Sequence, residues 1–109
     1  MQKLTNELKI RIGSMLEFFV LKMLSSRTHS VAEILEELKV AGLKIPTGTL
    51  YPLLAKLHRE NYVITGYEDG DTKIVIKTYS LTEKGRQRLT DLKGDWKRLN
   101  SLVASLGSR

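Results

Sequence analysis

Cysteine is absent from this sequence, which excludes disulfides and a thiol nucleophile. Histidine is scarce. His29 and His58 fall on different predicted elements, with no metal-ligand or phosphate-loop spacing around either, so an enzyme, a metal site and a cofactor all lack support. Long apolar runs are missing too: the longest, Met15 to Leu24, is broken by Glu17 and Lys22, whereas a membrane span needs roughly 18 to 20 apolar residues. The opening MQKLTNELK has no basic head, apolar middle or small-residue cleavage site, and a cytoplasmic location is the simplest reading. Aromatics are few. Tyr51, Tyr62, Tyr67 and Tyr79 are dispersed rather than gathered into a platform on which RNA bases stack. There are only two prolines, Pro46 and Pro52, and both flank one short stretch.

What remains is a basic chain of 109 residues, the size of one domain. Its net charge of +6 is uneven: residues 72–109 hold nine Lys/Arg against three acids, while residues 46–71 hold two against four. Such an excess favours a polyanionic partner, because neutralised phosphates release counterions. A merely solvated helix face is the alternative that charge alone leaves open.

Leu8, Ile12, Leu16, Phe19 and Met23 recur at helical spacing, and Met15, Phe18 and Val20 widen the stripe, which predicts a buried first helix. SSRTHS interrupts it. Ser30 and Glu33 then have the spacing of a capping box, opening a second helix through Ile34, Leu35 and Leu38 that stops near Gly42. Thr47 or Thr49 is the expected cap of a third helix with Leu50, Leu53, Leu54 and Leu57 inward, and Pro52 falls in or near its first turn.

After Asn61 the pattern becomes strand-like. YVITGY and TKIVIKTYSL flank the turn signal EDGD, a two-stranded antiparallel hairpin packed on one side. Thr82 is a good cap for a last helix running to about Leu106, with Gly107 as its stop. Helix, helix, basic helix and hairpin is the order of a winged helix-turn-helix, a mainly α (α+β) fold. On that order residues 1–81 are the expected DNA-binding part, and 82–109 a long dimerisation helix packed with the first helix of the same single domain. In such a motif the second helix presents its N-terminal residues to the major groove. Thr47, Gly48, Thr49 and Tyr51 supply hydroxyls and close backbone approach, Pro46 and Pro52 restrict motion, and Lys56 adds a phosphate-seeking charge. A well-made helix start with the Tyr51 ring in the core is the plainer reading of the same residues.

GTLYPLLAKL (Gly48 to Leu57) and YSLTEKGRQRL (Tyr79 to Leu89), with a hairpin between them, resemble the PadR-like transcriptional regulators. Nearly the whole chain is covered. The resemblance implies a bacterial or archaeal winged-helix regulator, usually a repressor and a homodimer, and places Thr49, Tyr51 and Lys56 on the recognition helix and Lys73 and Lys77 in the wing. Two places depart from the family pattern. Ser30, Val31, Ala32, Glu33 and Ile34 stand where many members have His-Gly-Tyr-Glu-[IL], and His29 could substitute only if the helix start shifts. The wing tip reads EDGDTK, and Glu68, Asp69 and Asp71 would repel phosphates.

Leu89, Leu92, Trp96, Leu99, Val103 and Leu106 are spaced 3, 4, 3, 4 and 3, a seam for helix against helix. Leaving these side chains exposed would forgo roughly 1.5–3 kcal/mol each, so self-association is expected. Trp96 is the only tryptophan. Some PadR-like sensors sandwich a flat aromatic effector between two such tryptophans; a large packing residue is the simpler reading. The expected partners are therefore a double-stranded DNA operator and a second copy of the chain, with a small aromatic effector only as the resemblance offers it, and no membrane. A winged helix that binds protein instead of DNA is the competing function, since fold does not dictate function.

Overall fold

The computed structural model describes residues 12–107, in which four helices and three antiparallel strands follow one another. They are α1 (Ile12–Ser26), β1 (His29–Ser30), α2 (Val31–Val40), α3 (Thr47–Arg59), β2 (Val63–Asp69), β3 (Val75–Leu81) and α4 (Glu83–Ser105). Leu8, assigned by spacing to the first stripe, lies outside the described residues.

α1 is the central helix. Val20, Leu21 and Leu24 are buried and meet Ile34 of α2, Leu50, Leu54 and Leu57 of α3, and Leu89 and Leu92 of α4 in one cluster. The predicted stripe members Leu16, Phe18 and Phe19 pack only at its margin. Glu17, which interrupts the apolar run, is itself only 2% exposed: Nε of Arg88 on α4 donates to its carboxylate at 2.9 Å. A carboxylate can be buried only if paired. The same hydrogen bond raises the pKa of Arg88.

α2 opens as its sequence predicts. The Ser30 hydroxyl accepts from the Glu33 amide, and the Glu33 carboxylate accepts from the Ser30 amide, a complete capping box. It ends with Gly42 at φ +106, where the Gly42 and Leu43 amides donate back to Lys39 and Leu38; only a residue free to turn left-handed closes a helix this way. Asn61 closes α3 by the same device, at φ +65.

Three expectations are corrected. The cap of α3 is Pro46, not Thr47 or Thr49, and it gives no side-chain bond; its carbonyl accepts from the Thr49 amide instead. Pro52 consequently stands in the second turn, inside the helix. The expected hairpin is present as β2 and β3, and a third strand joins it in the order β1-β3-β2: His29 and Ser30 pair with Tyr79 and Thr78. Nor is the wing packed along its length. Thr78 and Tyr79 are buried, but Tyr67, Ile74, Val75 and Ile76 are exposed, so the outer half of the hairpin stands free of the body.

The β3–α4 junction is built on Thr82 and Gly85. The Thr82 hydroxyl donates to the Asn61 carbonyl at 2.6 Å and accepts from the Gly85 amide at 2.9 Å, while its own amide donates to the Tyr62 carbonyl. A side chain on Gly85 would collide with that same carbonyl. This explains the threonine and the glycine of YSLTEKG, and it fixes α4 against the end of α3.

Candidate nucleic-acid interface

α3 turns Leu50, Leu54 and Leu57 inward. At 3.6 residues per turn, the opposite ridge carries Gly48, Pro52, Ala55 and Arg59, all exposed. Its first three members are short or compact, so the helix backbone itself can approach a partner closely. Nothing within 4 Å would meet a side chain at Gly48; the glycine there serves no packing need. Pro52 has no N–H to give to the Gly48 carbonyl, so one bond of the helix ladder is missing near its start.

Tyr51 and Lys56 flank this ridge. Tyr51 is 54% exposed, which overturns the core-packing alternative. Thr49 does not accompany it. Two residues along a helix are roughly 200° apart, and Thr49 lines an apolar hollow with Phe19, Leu43, Ile45 and Leu53 on the other flank. Thr47 is exposed at the first position. Arg59, one turn beyond Ala55, was not singled out in the sequence although its spacing from Pro52 places it on the ridge.

Between the start of α2, the Tyr51 flank of α3 and the root of the wing lies a cleft of about 710 Å³, lined among others by Ser30, Tyr51, His58, Thr65, Lys77 and Tyr79. Lys77 holds its ammonium 5.6 Å from the centre of the Tyr79 ring. Lys73 is elsewhere, at φ +61 in the hairpin tip among Glu68, Asp69 and Asp71. His29 takes no part. It is fully buried, held between the Arg27 carbonyl, 2.9 Å from Nδ1, and the Glu37 carboxylate, 2.8 Å from Nε2, and the capping box fixes the helix start one residue after it.

The C-terminal seam is divided. Leu89 and Leu92 belong to the protomer's own core, a correction to the expectation that all six side chains await a partner, because the first half of α4 packs on α1. Trp96 and Leu99 are half-buried, and Val103 and Leu106 are 61% and 68% exposed. Trp96 stacks on Phe18 at 5.9 Å, and its buried indole N–H has no partner among the described residues. Beside it opens a hollow lined by Lys93, Lys97 and Asn100.

The family model for the transcriptional regulator PadR-like family matches residues 20–91. The chain belongs to the PadR-like family. Its relatives by structure agree. A PadR-like transcription factor from Bacteroides fragilis is 32% identical over 87% of this chain and 92% of its own, with a TM-score of 0.78. A Streptococcus transcriptional regulator is 27% identical over 84% and 91%, also at 0.78. Bacillus subtilis PadR, solved in complex with operator DNA, is 28% identical over 71% of this chain and 45% of its own, at 0.63. No curated protein matches the chain. The PadR-like family is one of transcriptional regulators, not of enzymes, and the winged-helix fold expected from the sequence is the fold observed. Among the described residues no helix is long and apolar enough to cross a membrane.

Proposed function

We propose that the protein is a sequence-specific DNA-binding transcriptional regulator of the cytoplasm, acting as a homodimer that represses by occupying a palindromic operator. The observation that carries this reading is the outer ridge of α3, where Gly48, Pro52 and Ala55 leave the backbone bare between Tyr51, Lys56 and Arg59. A helix with that face fits the floor of a major groove, where side chains at its rim reach base edges and phosphates. The operator complex of Bacillus subtilis PadR supports the same use of the fold.

Leu99, Leu102, Val103 and Leu106 supply the dimer contact in this proposal, continued by Trp96, with Leu89 and Leu92 supporting it from behind. A two-fold dimer then faces paired half-sites about 34 Å apart, or a multiple of that. Selection of duplexes from a random library by the full chain, followed by anisotropy titration, tests the reading. A paired consensus whose affinity falls steeply with salt is expected; recovery of unrelated duplexes bound no better than random DNA would leave the protein-interaction alternative.

The unpartnered Trp96 indole favours a second element, relief of repression by a flat aromatic effector. A ligand carrying an acceptor would satisfy that N–H, and it would lower operator affinity by its preference for a dimer with mis-spaced heads. Quenching of Trp96 fluorescence should accompany operator release; quenching that leaves DNA affinity unchanged removes the regulatory role.

A further inference from the structure

We infer that the cleft at the root of the wing seats a backbone phosphate of the bound duplex, that His58 is a phosphate-contacting residue in it, and that the acidic wing tip stays off the DNA. This rests on the DNA-binding reading above.

The cleft gathers polar groups from separate elements. His58 stands seven residues after Tyr51, two turns along the same flank of α3, and both side chains are exposed. Lys77 and Tyr79 face them from β3 and Thr65 from β2, while Ser30 marks the start of α2. The volume lies within the range of about 300–1,000 Å³ typical of ligand sites, more than a lone phosphate needs. Leu54, Val31 and Ile76 add apolar wall, which suits the sugars on either side of a phosphodiester.

Charge decides the class of ligand. No carboxylate lines the cleft, although the chain has 12 acids. The nearest by sequence, Glu33, is turned back onto the Ser30 amide and onto Arg27 at 3.0 Å. Lys77 is drawn toward the Tyr79 ring at the cleft wall rather than extended along the wing. Glu68, Asp69 and Asp71, by contrast, lie at the far end of the hairpin, where a duplex would meet like charge. A backbone strand tracking beside α3 is therefore drawn to the wing's root and repelled at its tip. Lys77 sits on the attracting side of that boundary, Lys73 on the repelling side.

The test uses the full chain and the duplex it selects from a random library. Each phosphate of one half-site is replaced in turn by an uncharged methylphosphonate, and the affinities of wild type, His58→Ala, His58→Arg and Lys73→Ala are measured. His58→Ala should weaken binding about five- to tenfold, the loss of one hydrogen bond to a charged acceptor. It should also become insensitive to the one or two methylphosphonates that weaken the wild type. His58→Arg should keep that sensitivity, and Lys73→Ala should behave as wild type. His58 is exposed, so melting curves of the variants should superimpose. The inference is overturned if His58→Ala binds as wild type, or if its loss is the same on every methylphosphonate duplex, even though the wild type binds a consensus. If the wild type selects no duplex at all, the DNA-binding reading itself fails and this inference goes with it.

Discussion

Arg88 of α4 and Glu17 of α1, 71 residues apart in sequence, are joined by a 2.9 Å hydrogen bond between a half-exposed guanidinium and a buried carboxylate. Removing Arg88 strands the carboxylate in the core, which costs about 3 kcal/mol. Arg88→Ala should therefore lower the denaturation midpoint strongly. The pair Glu17→Leu with Arg88→Met should recover most of that loss, because neither partner then carries an unmatched charge. Denaturant titrations at one protein concentration check both.

Gly85 and Gly94 lie on the same helix, yet alanine should act oppositely at the two. At Gly85 the added methyl meets the Tyr62 carbonyl and the Leu81 side chain, a backbone clash that costs about 1–3 kcal/mol. At Gly94 it meets only the end of Arg98, at 3.8 Å, and helix propensity should add about 0.5–1 kcal/mol of stability. Thermal melts of the two variants give the signs directly.

Glu33 provides a dependence on pH. Its carboxyl lies below the ordinary glutamate range, first because the Ser30 backbone amide donates to it and then because Arg27 does. A folded-state pKa lowered in this way stabilises the fold above the unfolded value, and the contribution disappears as pH falls through the folded value. Glu33→Gln should thus destabilise the wild type at neutral pH, and the difference should shrink to nothing in acid. Ser30→Ala, which removes the other half of the box, should cost about 1 kcal/mol at neutral pH.

The proposed dimer contact can be separated from the core along one helix. Val103→Asp or Leu106→Asp should yield single chains in sedimentation while leaving the α-helical signal of the head intact, since both positions are open in the protomer. Leu92→Asp, in the core, should unfold the chain instead. A dimer that survives both outer substitutions would move the contact elsewhere.

On α3, Ala55→Glu should abolish operator binding with little change in melting, because the position is exposed on the ridge opposite the core. Thr49→Ala should cost less affinity than Tyr51→Ala, because Thr49 lines the apolar hollow with Leu53 whereas Tyr51 lines the cleft beside the wing. Anisotropy with the selected duplex measures all three.

The features readable in the sequence were those encoded locally. Ser30 with Glu33, Thr82 as a cap, Gly42 as a stop and the strand runs on either side of EDGD each depend on residues within a turn or two. What escaped reading depends on distance. The two residues of β1 are strand only because Thr78 and Tyr79 lie beside them, and two residues have no period. Glu17 reads as a polar interruption until Arg88 arrives from another helix. Heptad spacing in α4 is identical whether the facing helix belongs to the same chain or another, so Leu89 and Leu92 could not be told from Val103 and Leu106. Thr49 and Tyr51 were grouped by proximity along the chain, where helical rotation separates them.

The close fit of Gly85 beneath the Tyr62 carbonyl, backed by the Thr82 and Arg88 bonds, leaves no slack where reading head meets tail. In the dimer proposed above each half would act as one arm, so the span between its two heads would be set where the tails cross. A signal that shifts that crossing by a few degrees is magnified at the far end, like the tips of a pair of dividers.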